Sequence, residues 1–176
     1  MKKFIAIVLC AVSVLALCAC GKVEPRDEGK TAEYMPDYGE LYYTAGDVKF
    51  GIMDPADDVL AALGDPTGTF ESDSCAYQGK DYFYYYDGFE VMVNDVDGVK
   101  RITGITLADD TVSNPQGVKV GMKAEDALAL MGDGYKQVGD VYKYTVGSTV
   151  LRLGVGEDGT LSAVEYAVAA NDTNDK

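Results

Sequence analysis

One pattern constrains this 176-residue chain more than any other: two stretches of it match each other. VKFGI at 48–52 corresponds to VKVGM at 118–122, and ADDVLAALGD at 56–65 to AEDALALMGD at 124–133. Tyr82, Tyr84 and Tyr86 then correspond to Tyr142, Tyr144 and Val146. The offset drifts downward while the order is kept, which is the mark of a duplication followed by a change in loop length. About eight extra residues fall in the first unit, around Cys75. The fold class expected is α+β, with two tandem units, each a short helix packed on its own antiparallel sheet. Unit 1 spans 40–107, a linker 108–117, and unit 2 spans 118–168.

Each unit carries its own local signals. Asp54 reads as an N-cap, Pro55 as the first helical residue, and Gly64 as the residue after the helix. Val59, Leu60 and Leu63 form one apolar stripe, matched by Leu128 and Met131. In YFYYYDGFEVMV, Asp87-Gly88 between two apolar runs is a strong hairpin signal. It pairs Tyr86 with Phe89, Tyr84 with Val91 and Tyr82 with Val93. YKYTVGSTVLRL turns in the same way on Gly147-Ser148. Third strands, RITGITL and SAVEYAV, close the units. Val59, Leu60, Leu63, Tyr84, Val91, Leu128, Met131, Tyr144 and Leu151 are expected to be buried.

Side chains alternate along a strand, so each hairpin has a second face. In the first unit that face carries Phe83, Tyr85, Glu90 and Met92, flanked by Ile102 and Thr106 on the third strand. The matched residues of the second unit are Lys143, Thr145, Val150 and Arg152, which suit solvent. Aromatic and thioether side chains on a surface are favoured where proteins bind proteins. These six residues are therefore the candidate partner-binding face. The competing reading is that the tether or the inserted loop covers them.

The N-terminus gives an address. Lys2 and Lys3 precede an apolar run from Phe4 to Ala19 that is short for a membrane helix and fits a secretory signal. Leu17-Cys18-Ala19-Cys20 resembles the lipobox of bacterial lipoproteins, which implies removal of residues 1–19 and lipid on Cys20. The expected product has 157 residues and is anchored by lipid on the extracytoplasmic face of the cell membrane. A polar, proline-interrupted tether over 20–39 and a disordered tail over 169–176 complete the expected organisation.

Several chemistries lack residues. Without Lys2 and Lys3 the chain has 29 acidic and 13 basic residues, a net charge near −16, which disfavours nucleic acid. There is no histidine, so no imidazole base and no common zinc ligand. Cys75 has acidic neighbours, which hold a thiol protonated, and it reads as a small buried hydrophobe. Asp95-Val96-Asp97-Gly98 hints at a calcium loop, but the required acids at its ends are missing, so it reads as a turn. Phosphate-binding and nucleophile motifs are absent as well. No enzyme, cofactor or metal site is expected. A monomer that binds an unidentified protein is the favoured reading, with a solute- or ion-binding envelope lipoprotein, such as a loose calcium binder, as the alternative.

The order strand, Gly51-Ile52, helix, Leu63-Gly64-Asp65-Pro66, hairpin, repeated from Gly121-Met122 through Leu128 to Met131-Gly132, resembles the tandem repeats of the beta-lactamase inhibitory protein. It is also similar to small lipoproteins of the SmpA/BamE type. SDSCAY followed by ITLADDTVSNPQGVKVG resembles lipoproteins of anaerobic Gram-positive bacteria, most without an assigned activity. The resemblance implies a noncatalytic module whose sheet offers a concave partner-binding face. It does not imply beta-lactamase inhibition, because no inhibitory contact residues can be matched.

Overall fold

The computed structural model describes residues 41–172. Ten strands and two helices follow one another as β1 (Tyr43–Ala45), β2 (Val48–Phe50), α1 (Ala56–Leu63), β3 (Gly68–Asp73), β4 (Lys80–Tyr86), β5 (Phe89–Val96), β6 (Val99–Leu107), α2 (Ala124–Met131), β7 (Tyr135–Val138), β8 (Val141–Val146), β9 (Thr149–Val155) and β10 (Leu161–Val168). Strands β3 to β10 form one antiparallel sheet in the order β3-β4-β5-β6-β10-β9-β8-β7, and β1-β2 is a separate hairpin.

This overturns the expected fold class. The chain is mostly β, and there are not two units, each a helix on its own sheet. The third strands β6 and β10 pair directly, Leu107 with Val164 and Ile105 with Tyr166, so a single eight-stranded sheet runs through both halves. A shared sheet needs no interface of its own. Val91, Ile105, Leu151 and Val164, on four adjacent strands, are all fully buried in one continuous core.

The hairpins adopt the register that their turns dictate: Tyr86 opposite Phe89 and Tyr84 opposite Val91, then Val146 opposite Thr149 and Tyr144 opposite Leu151. Their inner faces, with Ile102, Ile105, Leu107, Val164 and Tyr166, make the core. The β1-β2 hairpin adds Tyr43 and Phe50 to it. Tyr43 meets Phe50 edge-on with centroids 5.7 Å apart, and lies 5.1 Å from Phe89. Aromatic pairs of this kind contribute about 0.5–1.5 kcal/mol each beyond area burial.

Each helix has eight residues, too few to be stable alone. What holds them is contact: Ala56 and Ala127 are fully buried, and their small side chains let the helix backbone approach its neighbours closely. Val59, Leu60, Leu63, Leu128 and Met131 pack against the core but are only partly buried, as is Tyr84. A short helix on an open sheet leaves its rim in water.

Asp54 does not cap α1. Pro55 occupies the cap position, and the Asp54 carboxylate instead accepts the Gly51 N–H at 2.8 Å, closing the turn that feeds the helix. That turn is tied to β6 by two backbone bonds, Met53 N–H to Ile102 and Ile102 N–H to Asp54. The second half builds the same tie with Gly121 N–H to Leu161 and Leu161 N–H to Met122. The stretch from β6 to α2 is held by Asn114, whose side-chain Oδ1 accepts from the Gln116 and Val118 N–H groups.

Candidate functional site

The side of the sheet opposite the helices is built from two cross-strand rows. One runs Phe70, Phe83, Met92, Gly104, Ala167, Val150, Thr145, and the other Gly68, Tyr85, Glu90, Thr106, Glu165, Arg152, Lys143, Lys136. Five of the six residues expected on the binding face, Phe83, Tyr85, Glu90, Met92 and Thr106, do stand together on these rows. Ile102 does not. A β-bulge between Met92 and Val93 puts Ile102 opposite Val93, on the core side, where it is fully buried. The extra residue forced by the bulge is Thr103.

The bulge serves the outer side. The Thr103 hydroxyl donates to the Asn94 side-chain carbonyl at 2.5 Å, and the Asn94 amide donates to the Asp81 carboxylate and the Lys80 carbonyl. Asn94 and Thr103 are buried, so these bonds meet needs that water cannot. Together they lock β4, β5 and β6 next to the aromatic row.

Phe70 is the most exposed large hydrophobic side chain of the described residues, at 56%, and its ring lies 5.9 Å from that of Phe83. Tyr85 is 37% exposed, and its ring leans over Gly68, where a Cβ would come within 3.6 Å. Met92 folds over Gly104, whose missing side chain leaves room for it: a Cβ there would sit 3.2–3.3 Å from Met92. Glu90 lies between Tyr85 and Thr106, and burial, then the nearby Glu165 charge, pushes its carboxyl above the usual range.

Phe70 joins this face from GTFESD, a stretch without the pattern of a strand in the sequence. It lies on β3, at the sheet edge, where four of the six residues are exposed and the apolar alternation of a covered strand is missing. The one available signal was an aromatic residue within an otherwise polar run, opposite a tyrosine hairpin that needed a neighbour.

Other expectations also change. Lys143 and Val150, read as solvent positions, are 4% and 1% exposed. The chain end explains Lys143. Ala169–Asn171 forms a 3-10 turn rather than part of a disordered tail, and Asp172 reaches Lys143 at 2.8 Å. Cys75 is not buried: it is an exposed free thiol in the connection between β3 and β4. Cys20, the tether and residues 173–176 lie outside the described residues. Among the described residues there is no cluster of acids and thiols suited to a metal, and no helix long and apolar enough to cross a membrane.

No family model matches the sequence, and no curated protein matches it significantly. One solved structure is similar, an extracellular protein containing an SCP domain from Bacillus anthracis str. Ames, with 13% identity and a TM-score of 0.42. The similarity covers 80% of this chain and 50% of that one, so the chain spans about half its length.

Proposed function

We propose that this protein is a noncatalytic module that binds a protein partner through the aromatic half of its outer sheet face, while lipid on Cys20 holds it at the extracytoplasmic side of a membrane. The observation that carries the binding surface is the exposure of Phe70 and Tyr85 beside Phe83 and Met92 on one sheet face. Aromatic residues presented on a rigid sheet lose little entropy when a partner covers them, which is why few such residues can carry most of an interface. The N-terminal signal pattern and Cys20 support the address.

The test uses the mature protein and a Phe70→Ala/Tyr85→Ala double variant, cross-linked in the native envelope and compared for captured partners. Loss of a specific partner at an unchanged melting temperature supports the reading. An unchanged capture profile refutes the surface. A large thermal shift with one small molecule or calcium, and no protein partner, replaces the reading with solute or ion binding. Intact-mass measurement from the membrane checks the anchor, and an unmodified Cys20 removes it.

A further inference from the structure

The other half of the outer face holds three cations in line, and Lys136 on β7 stands opposite Lys143 at the sheet edge. Lys143 on β8 is directly opposite Arg152 on β9, and Glu165 on β10 follows. The Lys143 side chain is 3% exposed. An ammonium group taken out of water this far is tolerated only against a counter-charge.

The chain's own end supplies one. After β10 the Ala169 N–H bonds to the Ser148 carbonyl at 2.8 Å, and the turn lays Asp172 on the cations with its side chain 8% exposed. Asn171 donates to the Tyr77 hydroxyl in the β3-β4 connection, so the segment is also held to the first half. The fit is incomplete. The Asp172 carboxylate reaches Lys143 at 2.8 Å but stays 3.8 Å from Arg152 Nε. Within the described residues, neither that nitrogen nor the Asp172 Oδ1 facing it has a hydrogen-bond partner, although both are buried. Arg152 Nη1 also faces the Glu165 carboxylate, at 3.6 Å, too far for a hydrogen bond, so a guanidinium preorganised for a carboxylate is left partly unused.

We propose that Lys143 and Arg152 form a recognition site for a carboxylate on an acidic segment of a protein partner, and that Asp172 occupies this site in cis as a displaceable latch. Charge complementarity defines the occupant, because the site already accepts an aspartate on a peptide segment and has a donor to spare. A tethered occupant acts at millimolar effective concentration, so an incoming segment sees its affinity reduced by the fraction of molecules that are closed. The inference does not depend on the aromatic half of the face.

The experiment uses the mature chain and a fluorescein-labelled, end-blocked peptide with the chain's own sequence 170–174, ANDTN, read by anisotropy. The control peptide has asparagine in place of its aspartate. Asp172→Asn should bind ANDTN about tenfold more tightly than the unaltered protein. The control should not bind, and Asp172→Asn/Arg152→Gln should lose the gain. Asp172→Glu, one methylene longer, should reach Arg152, raise the melting temperature and weaken peptide binding below that of the unaltered protein. This variant decides the matter if Asp172→Asn fails to fold. Equal binding of the two peptides overturns the proposal, as does no gain in a folded Asp172→Asn or no weakening in Asp172→Glu. Dimerisation of Asp172→Asn by light scattering also overturns it, since the occupant would then be a second copy.

Discussion

The Tyr144 hydroxyl donates to the Gly132 carbonyl at 2.8 Å, so a strand residue caps the C-terminus of α2. In the other half, Tyr86 points its hydroxyl at the Gly64 carbonyl after α1, at 3.4 Å and exposed. The shorter bond is the one shielded from water. Tyr144→Phe should therefore destabilise the protein by about 1 kcal/mol, and Tyr86→Phe by less than half of that. Urea melts of the two variants check the order.

Alkaline pH should unfold the protein through its buried tyrosines. Burial pushes Tyr43 and Tyr144 up to about 12, and raises Tyr166 as well. A phenol raised in the folded state holds its proton more tightly there than in the unfolded chain. The stability that these phenols contribute is therefore complete below pH ~10 and is lost as pH rises from there through about 12. A pH series of melts followed by tyrosinate absorbance should show ionisation and unfolding together. Early titration of all the tyrosines in the folded protein would contradict the core described above.

Glu90 acts with the same sign at lower pH. Burial and then Glu165 raise its carboxyl, so the folded state binds its proton more tightly than the unfolded state does. Stability should then fall as pH rises from the ordinary carboxylate value through the raised one, and the penalty persists at neutral pH. Glu90→Gln should raise the neutral melting temperature by about 1 °C, the effect being small because the group is only partly buried. The gain should vanish below pH ~4, where the wild-type carboxyl is protonated in both states.

Two hairpin glycines should respond differently to alanine. Gly88 and Gly147 both have positive φ, of 80° and 56°. A Cβ on Gly88 would meet Thr111 Oγ1 and Val112 Cγ1 at 2.7 Å, whereas nothing lies within 4 Å of one on Gly147. Gly147→Ala should cost about 1 kcal/mol of backbone strain. Gly88→Ala should cost at least ~2 kcal/mol, because the 108–112 loop must also move. Differential scanning calorimetry distinguishes them, and equal losses would mean that the loop yields freely.

The sequence by itself determined what neighbouring residues decide. Asp87-Gly88 and Gly147-Ser148 dictated both hairpin registers, and alternation then placed Tyr84, Val91, Tyr144 and Leu151 on the inner face. It also brought Phe83, Tyr85, Glu90 and Met92 to one outer face. Tertiary structure decided the rest, because the contacts involved join residues far apart in the chain. The pairing of Ile105 with Tyr166 merged two expected sheets into one, and no local signal could distinguish a third strand that ends a sheet from one that continues it. The bulge at Met92 turned Ile102 inward, since one extra residue reverses every later side chain on a strand. Phe70 was hidden because an edge strand need not alternate. Lys143, with Arg152 and Lys136 opposite it, looks solvated in the sequence until a distant carboxylate, here Asp172, folds over it.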